Sequence, residues 1–355
     1  MAKIHRLKIK NYRGIESFEH TFDGQSFICL IGRGDSGKTT ILQAIAAILS
    51  PHWDYKFYDS DFHNENIENP IVIEADIIDI PFELLTETKY GLYKRILNSE
   101  GIISDDLSEE DDGCKDLLTV RLVVDKDLEP KWYVINKRER QDSIEIRAAD
   151  RAKLNVFIIS DYIDRHFVWG KGTPLNALLR KNEEEINTDQ IIVDVSRKAH
   201  RSIKQERIFE SFDNILSNLQ EEIQSLGMPP DTMQALFDFK SLLLKEGNIA
   251  LHDGMSIPYR LKGKGTKRLV SIAIQMELAK EGGIILIDEI EQGLEPDRAK
   301  FLVKKLKEIN KGQIFITTHS NNVLVELNYS DLLLKNTNHP QLIRFNNEMI
   351  IRSYS

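Results

Sequence analysis

The sequence is poor in cysteine and has no long apolar segment. Its two cysteines are Cys29, inside an apolar run, and Cys114, in an acidic stretch, so neither a disulfide framework nor a cysteine-based metal site is available. No segment reaches the ~18 apolar residues that span a bilayer. The N-terminus alternates apolar with basic residues and lacks the apolar core of a signal peptide. These absences predict a cytoplasmic protein without a membrane partner.

The composition is that of a globular chain with a large core. Its 355 residues are 41% hydrophobic and 29% charged, enough for one large domain or two smaller ones. The net charge of −9 argues against a protein whose whole surface wraps nucleic acid, although a local basic patch could still contact it. Partners must therefore be inferred from local features.

Apolar periodicity divides the chain into three parts. Residues 1–175 are rich in β-type runs, and residues 176–249 are polar and helical, as in an arm inserted into a β-rich body. Residues 250–355 alternate helices with apolar strands, which indicates an α/β fold with a parallel sheet. The predicted strands lie near 4–9, 17–22, 26–31, 70–80, 117–125, 131–138, 283–289 and 313–320, and the predicted helices near 41–49, 266–280 and 296–310.

The stretch GRGDSGKT at 32–39 matches the phosphate-loop pattern G-x-x-x-x-G-K-[ST] and follows an apolar, strand-like run. Glycines let the backbone curl so that successive N–H groups face the phosphates of a nucleotide. Lys38 adds a positive charge, and the Thr39 hydroxyl suits Mg²⁺. The pattern therefore predicts a site for a nucleoside triphosphate with Mg²⁺. The expected nucleotide contacts are Gly32, Arg33, Gly34, Asp35, Ser36, Gly37, Lys38, Thr39 and Thr40.

Two further apolar strands end in residues suited to phosphate chemistry. The run IILIDE ends in Asp288, which is expected to hold Mg²⁺ through water, and Glu289, which is expected to orient and deprotonate an attacking water. The run IFITTHS ends near His319, whose imidazole can hydrogen-bond phosphate or water. Because parallel strands end at one edge of a sheet, we expect these side chains to meet the phosphate loop.

The stretch LKGKGTKRL at 261–269 combines two glycines with four basic residues immediately before a helical pattern. A helix N-terminus preceded by glycines and cations is suited to an anion. Three interpretations are open at this point: a phosphate contact, a nucleic-acid contact and a solvated basic helix start.

In this order the motifs resemble ABC-type ATPases of the SMC, RecF and OLD-like branch. The opening IHRLKIKNYRGIESFEHTF resembles the first strand pair of that branch, EQGLEP resembles its D-loop, and 159–179 resembles OLD-like members. The resemblance covers about 1–80 and 250–330. It implies an ABC-ATPase head, a P-loop NTPase with a mixed and parallel sheet, flanking helices and a helical insertion, and it implies ATP as the nucleotide.

The resemblance also assigns LKGKGTKRL to the family's signature loop, which acts in trans. Gly263, Gly265 and Thr266 are then the expected donors to ATP held by a second copy, although Lys262 and Lys264 depart from the usual LSGGQ. The family's Q-loop is expected at 57–66, which lacks glutamine. Asp61, with Asp59 as the alternative, is the candidate substitute near Mg²⁺.

The implied function is an ATPase that switches between an open state and an ATP-clamped homodimer, with the arm available for higher assembly. We expect it to regulate DNA processing or a separate effector, a nuclease or toxin, in DNA repair or antiphage defence. The separate effector is expected because only 36 residues follow His319, too few for the Toprim nuclease of OLD proteins. The alternatives are an ATP-sensing switch with negligible turnover and, less favoured, a transporter cassette.

The remaining charged segments are expected to be solvated. The acidic stretch 104–113 has no fixed ligand geometry for a metal. The basic clusters at 136–140 and 197–207 lack the interleaved aromatic residues that stack on bases, so surface positions are favoured over DNA contacts.

Overall fold

The computed structural model describes residues 2–109, 113–160, 163–169, 173–181, 198, 249–253, 257–279, 283–309, 312–335 and 342–344. Apart from 176–181, 198 and 249, the predicted helical arm lies outside the described residues. The basic cluster at 197–207 also lies outside them, except for Lys198.

Sixteen strands and six α-helices are named here within the described residues. The strands are β1 Lys3–Tyr12, β2 Ile15–Thr21, β3 Phe27–Ile31, β4 Ile71–Ile78, β5 Arg95–Leu97, β6 Ile103–Ser104, β7 Lys115–Val124, β8 Pro130–Ile135, β9 Ile144–Glu145, β10 Val156–Ile159, β11 Val168–Trp169, β12 Ile249–Ala250, β13 Ile284–Ile287, β14 Gln313–Thr317, β15 Leu332–Lys335 and β16 Leu342–Arg344. The helices are α1 Lys38–Ile48, α2 Ala148–Arg151, α3 Pro174–Lys181, α4 Lys264–Ala279, α5 Pro296–Lys307 and α6 Asn321–Leu324.

The first sheet is antiparallel and has the order β2-β1-β4-β7-β5-β6. The strand β8 pairs with the later part of β7, along the edge of β7 that faces away from β4, and β9 pairs with β8. Its long strands bury alternate apolar residues against α1. In β4, these residues are Ile71, Ile73 and Ala75. In strands with one buried face, apolar and polar residues alternate along the sequence. This alternation is why these strands were predicted.

The second sheet carries the functional loops and has the order β10-β13-β14-β3-β15-β16. All its pairs are parallel except β15 with β16. Its strands are short and buried on both faces. In β13, Ile284 and Leu286 pack in the core around α1, while Ile285 and Ile287 pack in a second core with α4 and α5. The helix α1 therefore lies between the two sheets, and the predicted α/β architecture is confirmed.

A buried glutamine joins the two sheets. The Gln313 side chain, at the start of β14, accepts a hydrogen bond from the backbone N–H of Ile4 at 2.8 Å. It also donates to the backbone oxygens of Ile4 and Gln25, both at 3.0 Å. Because a buried amide is costly unless it is hydrogen-bonded, these contacts fix β1 against the second sheet.

Three strands of the second sheet, β10, β15 and β16, are not among the predicted strands. The strand β10 lies at the edge of this sheet, parallel to β13, with Ile159 opposite Ile287. Its four residues are too few to distinguish a buried strand from part of a helix by periodicity. Among the described helices, none is long and apolar enough to cross a membrane.

Candidate functional site

The phosphate loop joins β3 to α1 and depends on two glycines. Gly32 has φ +149° and Gly37 has φ +93°, values that residues with a side chain rarely adopt. A Cβ atom at Gly32 would also lie 2.4 Å from the backbone oxygen of Lys335 in β15. The helix α1 starts at Lys38, directly after Gly37, so the loop ends at a helix N-terminus as predicted.

Lys38 is buried and turned back over this loop. Its ammonium group donates to the backbone oxygens of Gly32 at 3.0 Å and Arg33 at 2.8 Å, and to Ser36 Oγ at 3.4 Å. Burial lowers the pKa of Lys38, and the nearby carboxylates, Asp288 first, oppose that shift. The charge is therefore held above the loop by protein oxygens, in a position to exchange them for phosphate oxygens.

Asp288 connects three elements of the second sheet. It follows β13 directly, and its Oδ1 accepts hydrogen bonds from Thr39 Oγ1 in α1 at 3.0 Å and from Thr317 Oγ1 at the end of β14 at 2.7 Å. A hydroxyl and a carboxylate side by side are oxygen ligands that Mg²⁺ accepts together with water and phosphate. The described residues include no cluster of three or more His, Cys, Asp or Glu residues, so a metal here would depend on the nucleotide for further ligands.

Glu289 has an exposed side chain on a left-handed backbone, with φ +48°. Its backbone N–H donates to Thr317 Oγ1 at 2.7 Å, so the same threonine holds both acidic residues. A residue other than glycine in this conformation costs roughly 1 kcal/mol and persists only where its surroundings impose it. The backbone thus turns Glu289 away from the sheet, toward solvent.

His319 is also exposed and leaves the same edge of the sheet. Its strand β14 is the parallel neighbour of β13, with Ile316 opposite Ile287. The loop is fixed by Glu291, which accepts a hydrogen bond from the His319 backbone N–H and another from Thr318 Oγ1, both at 2.7 Å. The predicted loop, Thr39, Asp288, Glu289 and the strand ending at His319 therefore converge on one edge.

The glycine-rich stretch 261–269 forms the start of α4. Gly263 and Thr266 are exposed, and nothing lies within 4 Å of a Cβ atom built on Gly263. Gly265 differs, because a Cβ atom there would lie 2.5 Å from the backbone oxygen of Gly293. Gly265 is thus required for close packing inside its own subunit, a role that the sequence analysis did not foresee.

The basic residues of this stretch have unequal roles. Lys262 forms an ion pair with Asp253, and Lys267 forms one with Asp164 at 2.8 Å. Lys264 is exposed and has no ion-pair partner in the described part of the chain. The solvated-helix interpretation therefore fits Lys264 alone.

Arg268 is the functional residue that the sequence analysis missed. It is only 3% exposed, and its guanidinium donates to the backbone oxygens of Asp288 and Glu289, the latter at 2.7 Å, and to Gln292 Oε1 at 2.9 Å. It thereby ties α4 to both acidic residues. The sequence did contain an indication that Arg268 is buried: it precedes the apolar Ile272 by four residues and therefore lies on the same, buried face of α4.

Asp61, the candidate Q-loop substitute, is held by contacts within the N-terminal part of the chain. Its carboxylate accepts hydrogen bonds from Arg13 Nε at 2.7 Å and from the Tyr58 backbone N–H at 2.9 Å, and the structure brings it into hydrogen-bond contact with neither Thr39 nor Asp288. Asp59 is exposed in the same turn. Ser160, directly after β10, is the residue level with Asp288 in the sheet, and the role of Asp61 near Mg²⁺ stays a prediction.

The charged stretches in the first 150 residues are used in packing. Asp105 accepts two hydrogen bonds from Arg95, at 2.8 Å each; burial alone would raise the pKa of Asp105, but these bonds outweigh it and lower the pKa. Arg138, in the basic cluster 136–140, donates to the backbone oxygens of Leu92 at 2.7 Å and Lys94 at 2.6 Å. Within 104–113, residues 110–112 lie outside the described ones.

These features define a class: an ABC-type P-loop ATPase head, with a phosphate loop, a strand ending in two acids and a glycine-rich helix start around one sheet edge. The chain belongs to the family described as "AAA domain, putative AbiEii toxin, Type IV TA system", which matches residues 27–326.

Two solved structures share the fold. One is the Smc head domain with an extended coiled coil bound to the C-terminal domain of ScpA, from Pyrococcus furiosus, at 12% identity and TM-score 0.50, covering 100% of this chain and 99% of that one. The other is the recombination mediator RecF with ATP, at 12% identity and TM-score 0.50, covering 97% and 99%. At this identity the likeness concerns the fold alone. No curated protein sequence matches the chain.

The contact between Thr39 and Asp288 predicts a metal-specific defect. In Thr39→Ala, we expect Mg²⁺ to improve ATP affinity about tenfold less than in the wild type, because one oxygen ligand is lost. Calorimetric titration with ATP, with and without Mg²⁺, measures this difference. The neighbouring Thr40→Ala is the control and should keep the Mg²⁺ effect. Full Mg²⁺ dependence in Thr39→Ala would show that Thr39 is not a ligand.

Proposed function

We propose that the protein binds MgATP in the loop at 32–40 and hydrolyses it. Lys38 and the loop N–H groups would hold the phosphates, and Thr39 with Asp288 would hold Mg²⁺. The hydrogen bond from Thr39 to Asp288 carries this proposal, because it places the two expected metal ligands within 3.0 Å of each other although 249 positions separate them in sequence.

Glu289 is the proposed general base. Its backbone is fixed by Thr317 and Arg268 while its carboxylate remains exposed, so the side chain is free to contact a water beside the γ-phosphate. The exposed His319, on the neighbouring strand, would donate a hydrogen bond to the γ-phosphate or to that water. Together they account for hydrolysis in addition to binding.

We further propose that the active form is a homodimer with ATP between two copies. Gly263 and Thr266 are exposed at the N-terminus of α4, which is suited to a phosphate, yet the chain already has a phosphate loop. A second nucleotide site in the same chain would need its own metal acid, and the two described acids that contact 261–269, Asp253 and Asp164, are paired with Lys262 and Lys267. A contact between this helix N-terminus and ATP held in the partner copy's phosphate loop gives both phosphate-binding features a role.

The output of this cycle is proposed to be control of a separate effector, a toxin or nuclease. The family description refers to a putative AbiEii toxin and a type IV toxin–antitoxin system, which favours antiphage defence over repair. DNA remains a candidate stimulus, but the basic cluster 136–140 does not support direct contact, since Arg138 is used within the protein. The helical arm would serve further assembly of dimers.

Glu289→Gln tests hydrolysis. We expect phosphate release to fall at least ~100-fold, because a general base contributes ~10²–10⁴-fold. ATP affinity should stay near that of the wild type, and light scattering should show longer-lived dimers with ATP. Glu139→Gln, at an exposed glutamate outside the proposed site, is the matched control. A wild type that releases no phosphate with ATP, DNA or partner would instead support an ATP-sensing switch.

Gly263→Asp tests the contact in trans. The new carboxylate would lie in open space, so the fold should be kept while phosphate of the partner's ATP is repelled. Gly265 is unsuitable, since any side chain there clashes with Gly293 in the same subunit. We expect Gly263→Asp to lower hydrolysis at least ~10-fold with unchanged ATP affinity in the monomer.

Mixing with Lys38→Ala completes this test. In a mixed dimer, the intact loop of the Gly263→Asp copy faces the intact helix start of the Lys38→Ala copy, so one site is functional. With random pairing, half of the dimers are mixed and half of their sites are intact, so the rate should recover to about a quarter of the wild type. No recovery in verified mixed dimers would contradict the sandwich.

A further inference from the structure

A polar cavity lies beside α1, one helical turn beyond the proposed nucleotide site at Thr39. It has a volume of about 300 Å³, at the lower end of the range for small-molecule sites (~300–1,000 Å³). It extends along α1 from Gln43 past its C-terminal end, and is closed on the other side by β10 and the start of α3. We call it the basic cavity; its polar lining includes Arg13, Gln43, His52, Tyr55, Ser160 and Arg165.

The basic cavity has more hydrogen-bond donors than the protein satisfies. Arg165 is exposed and makes no ion pair or hydrogen bond with a described residue, and the same holds for the hydrogen-bonding groups of the His52 ring and the Tyr55 hydroxyl. Arg13 donates from Nε to Asp61 and from Nη1 to Gln43, which leaves its Nη2 available. No aspartate or glutamate is among the described residues that line the cavity.

The pKa shifts of the lining residues are consistent with an excess of hydrogen-bond donors. Burial lowers the pKa of His52, and the charges of Arg165 and Arg151 lower it further against the opposing Asp54. Burial raises the pKa of Tyr55, so its hydroxyl stays protonated and can donate. Arg13 is balanced by its ion pair with Asp61, so Arg165 is the unbalanced positive charge among the described lining residues, and together with the neutral donors it suits an anion.

Part of the cavity wall is apolar. Val156 and Ile158 of β10 contribute to it together with Ala46 and Pro51, whereas the Phe157 side chain packs in the second core. A fully hydrated inorganic ion would gain nothing from this wall, whereas a ring attached to a phosphate would cover it. The basic and apolar parts of the lining together select a ligand with one anionic end and one apolar or aromatic part.

We propose that the basic cavity binds a phosphate monoester of mononucleotide size, with Arg13 and Arg165 at the phosphate and β10 at the ring. The site is separate from the loop at 32–40. Its phosphate is supplied either by a free nucleotide or by the 5′ end of an oligonucleotide, since both present the same group.

Such a ligand would connect the two halves of the ATP site. Arg13 contacts Gln43, which lies one turn after Thr39 on α1. The segment of Arg165 is fixed to α4 by Lys267 with Asp164 at 2.8 Å and by His166 with Ser271 Oγ at 2.5 Å. A phosphate bridging the two arginines would therefore tie α1 to α4, and the inference that it regulates turnover rests on the proposed ATPase.

Calorimetric titration of the Lys38→Ala protein with AMP tests the binding step with the phosphate loop weakened and without hydrolysis. We expect AMP to bind, adenosine to bind at least ~10-fold more weakly, and Arg165→Glu in the same background to weaken AMP at least ~10-fold. Arg140→Glu, at another exposed arginine, is the matched control and should leave the affinity unchanged.

Three results would overturn the site: no AMP binding to Lys38→Ala, equal affinity for adenosine and AMP, or AMP affinity unchanged by Arg165→Glu. A short 5′-phosphorylated oligonucleotide distinguishes the sources. Tighter binding than AMP, lost in Arg165→Glu, assigns the phosphate to a nucleic-acid end, and weaker binding assigns it to a free nucleotide. None of these results depends on whether the wild type hydrolyses ATP.

Discussion

The carboxylate of Asp288 is the contact on which the functional edge depends. One of its oxygens accepts hydrogen bonds from Thr39 and Thr317, which come from the phosphate-loop helix and from the strand that leads to His319. Three chain segments far apart in sequence thus meet at one atom. Because hydrogen bonds to a carboxylate are among the stronger ones in proteins, they fix the spacing between the two proposed Mg²⁺ ligands, Thr39 and Asp288.

A second set of contacts couples this edge to α4 within one subunit. Arg268 donates to the backbone oxygens of Asp288 and Glu289, and Gly265 packs directly on Gly293. Any shift of α4 must therefore move the backbone that carries Glu289. In the proposed dimer, the partner's ATP would press on Gly263 and Thr266, and Arg268 would convey that contact to the catalytic acid of the same chain. Binding in trans and hydrolysis in cis would then be linked.

Local patterns predicted the parts of the site that are continuous in sequence. The phosphate loop needs glycines, a lysine and a threonine at fixed spacing, and the acids follow an unbroken apolar run, so both were found. The order of strands is not local. The four residues of β10 gave no distinct period, so its place beside β13 was not predicted. Arg268 was missed for a related reason. In a stretch with several basic residues, the sequence alone does not distinguish the one buried side chain from its exposed neighbours.

Metal binding tests the central role of Asp288 most directly. Electron paramagnetic resonance of Mn²⁺, used in place of Mg²⁺, measures bound metal with and without ATP. The account predicts Mn²⁺ binding to the wild type only with ATP, and its loss in Asp288→Asn, whose amide oxygen can still accept from Thr39 and Thr317 and keep the fold. Mn²⁺ binding without nucleotide, or equal binding in folded Asp288→Asn, would contradict it.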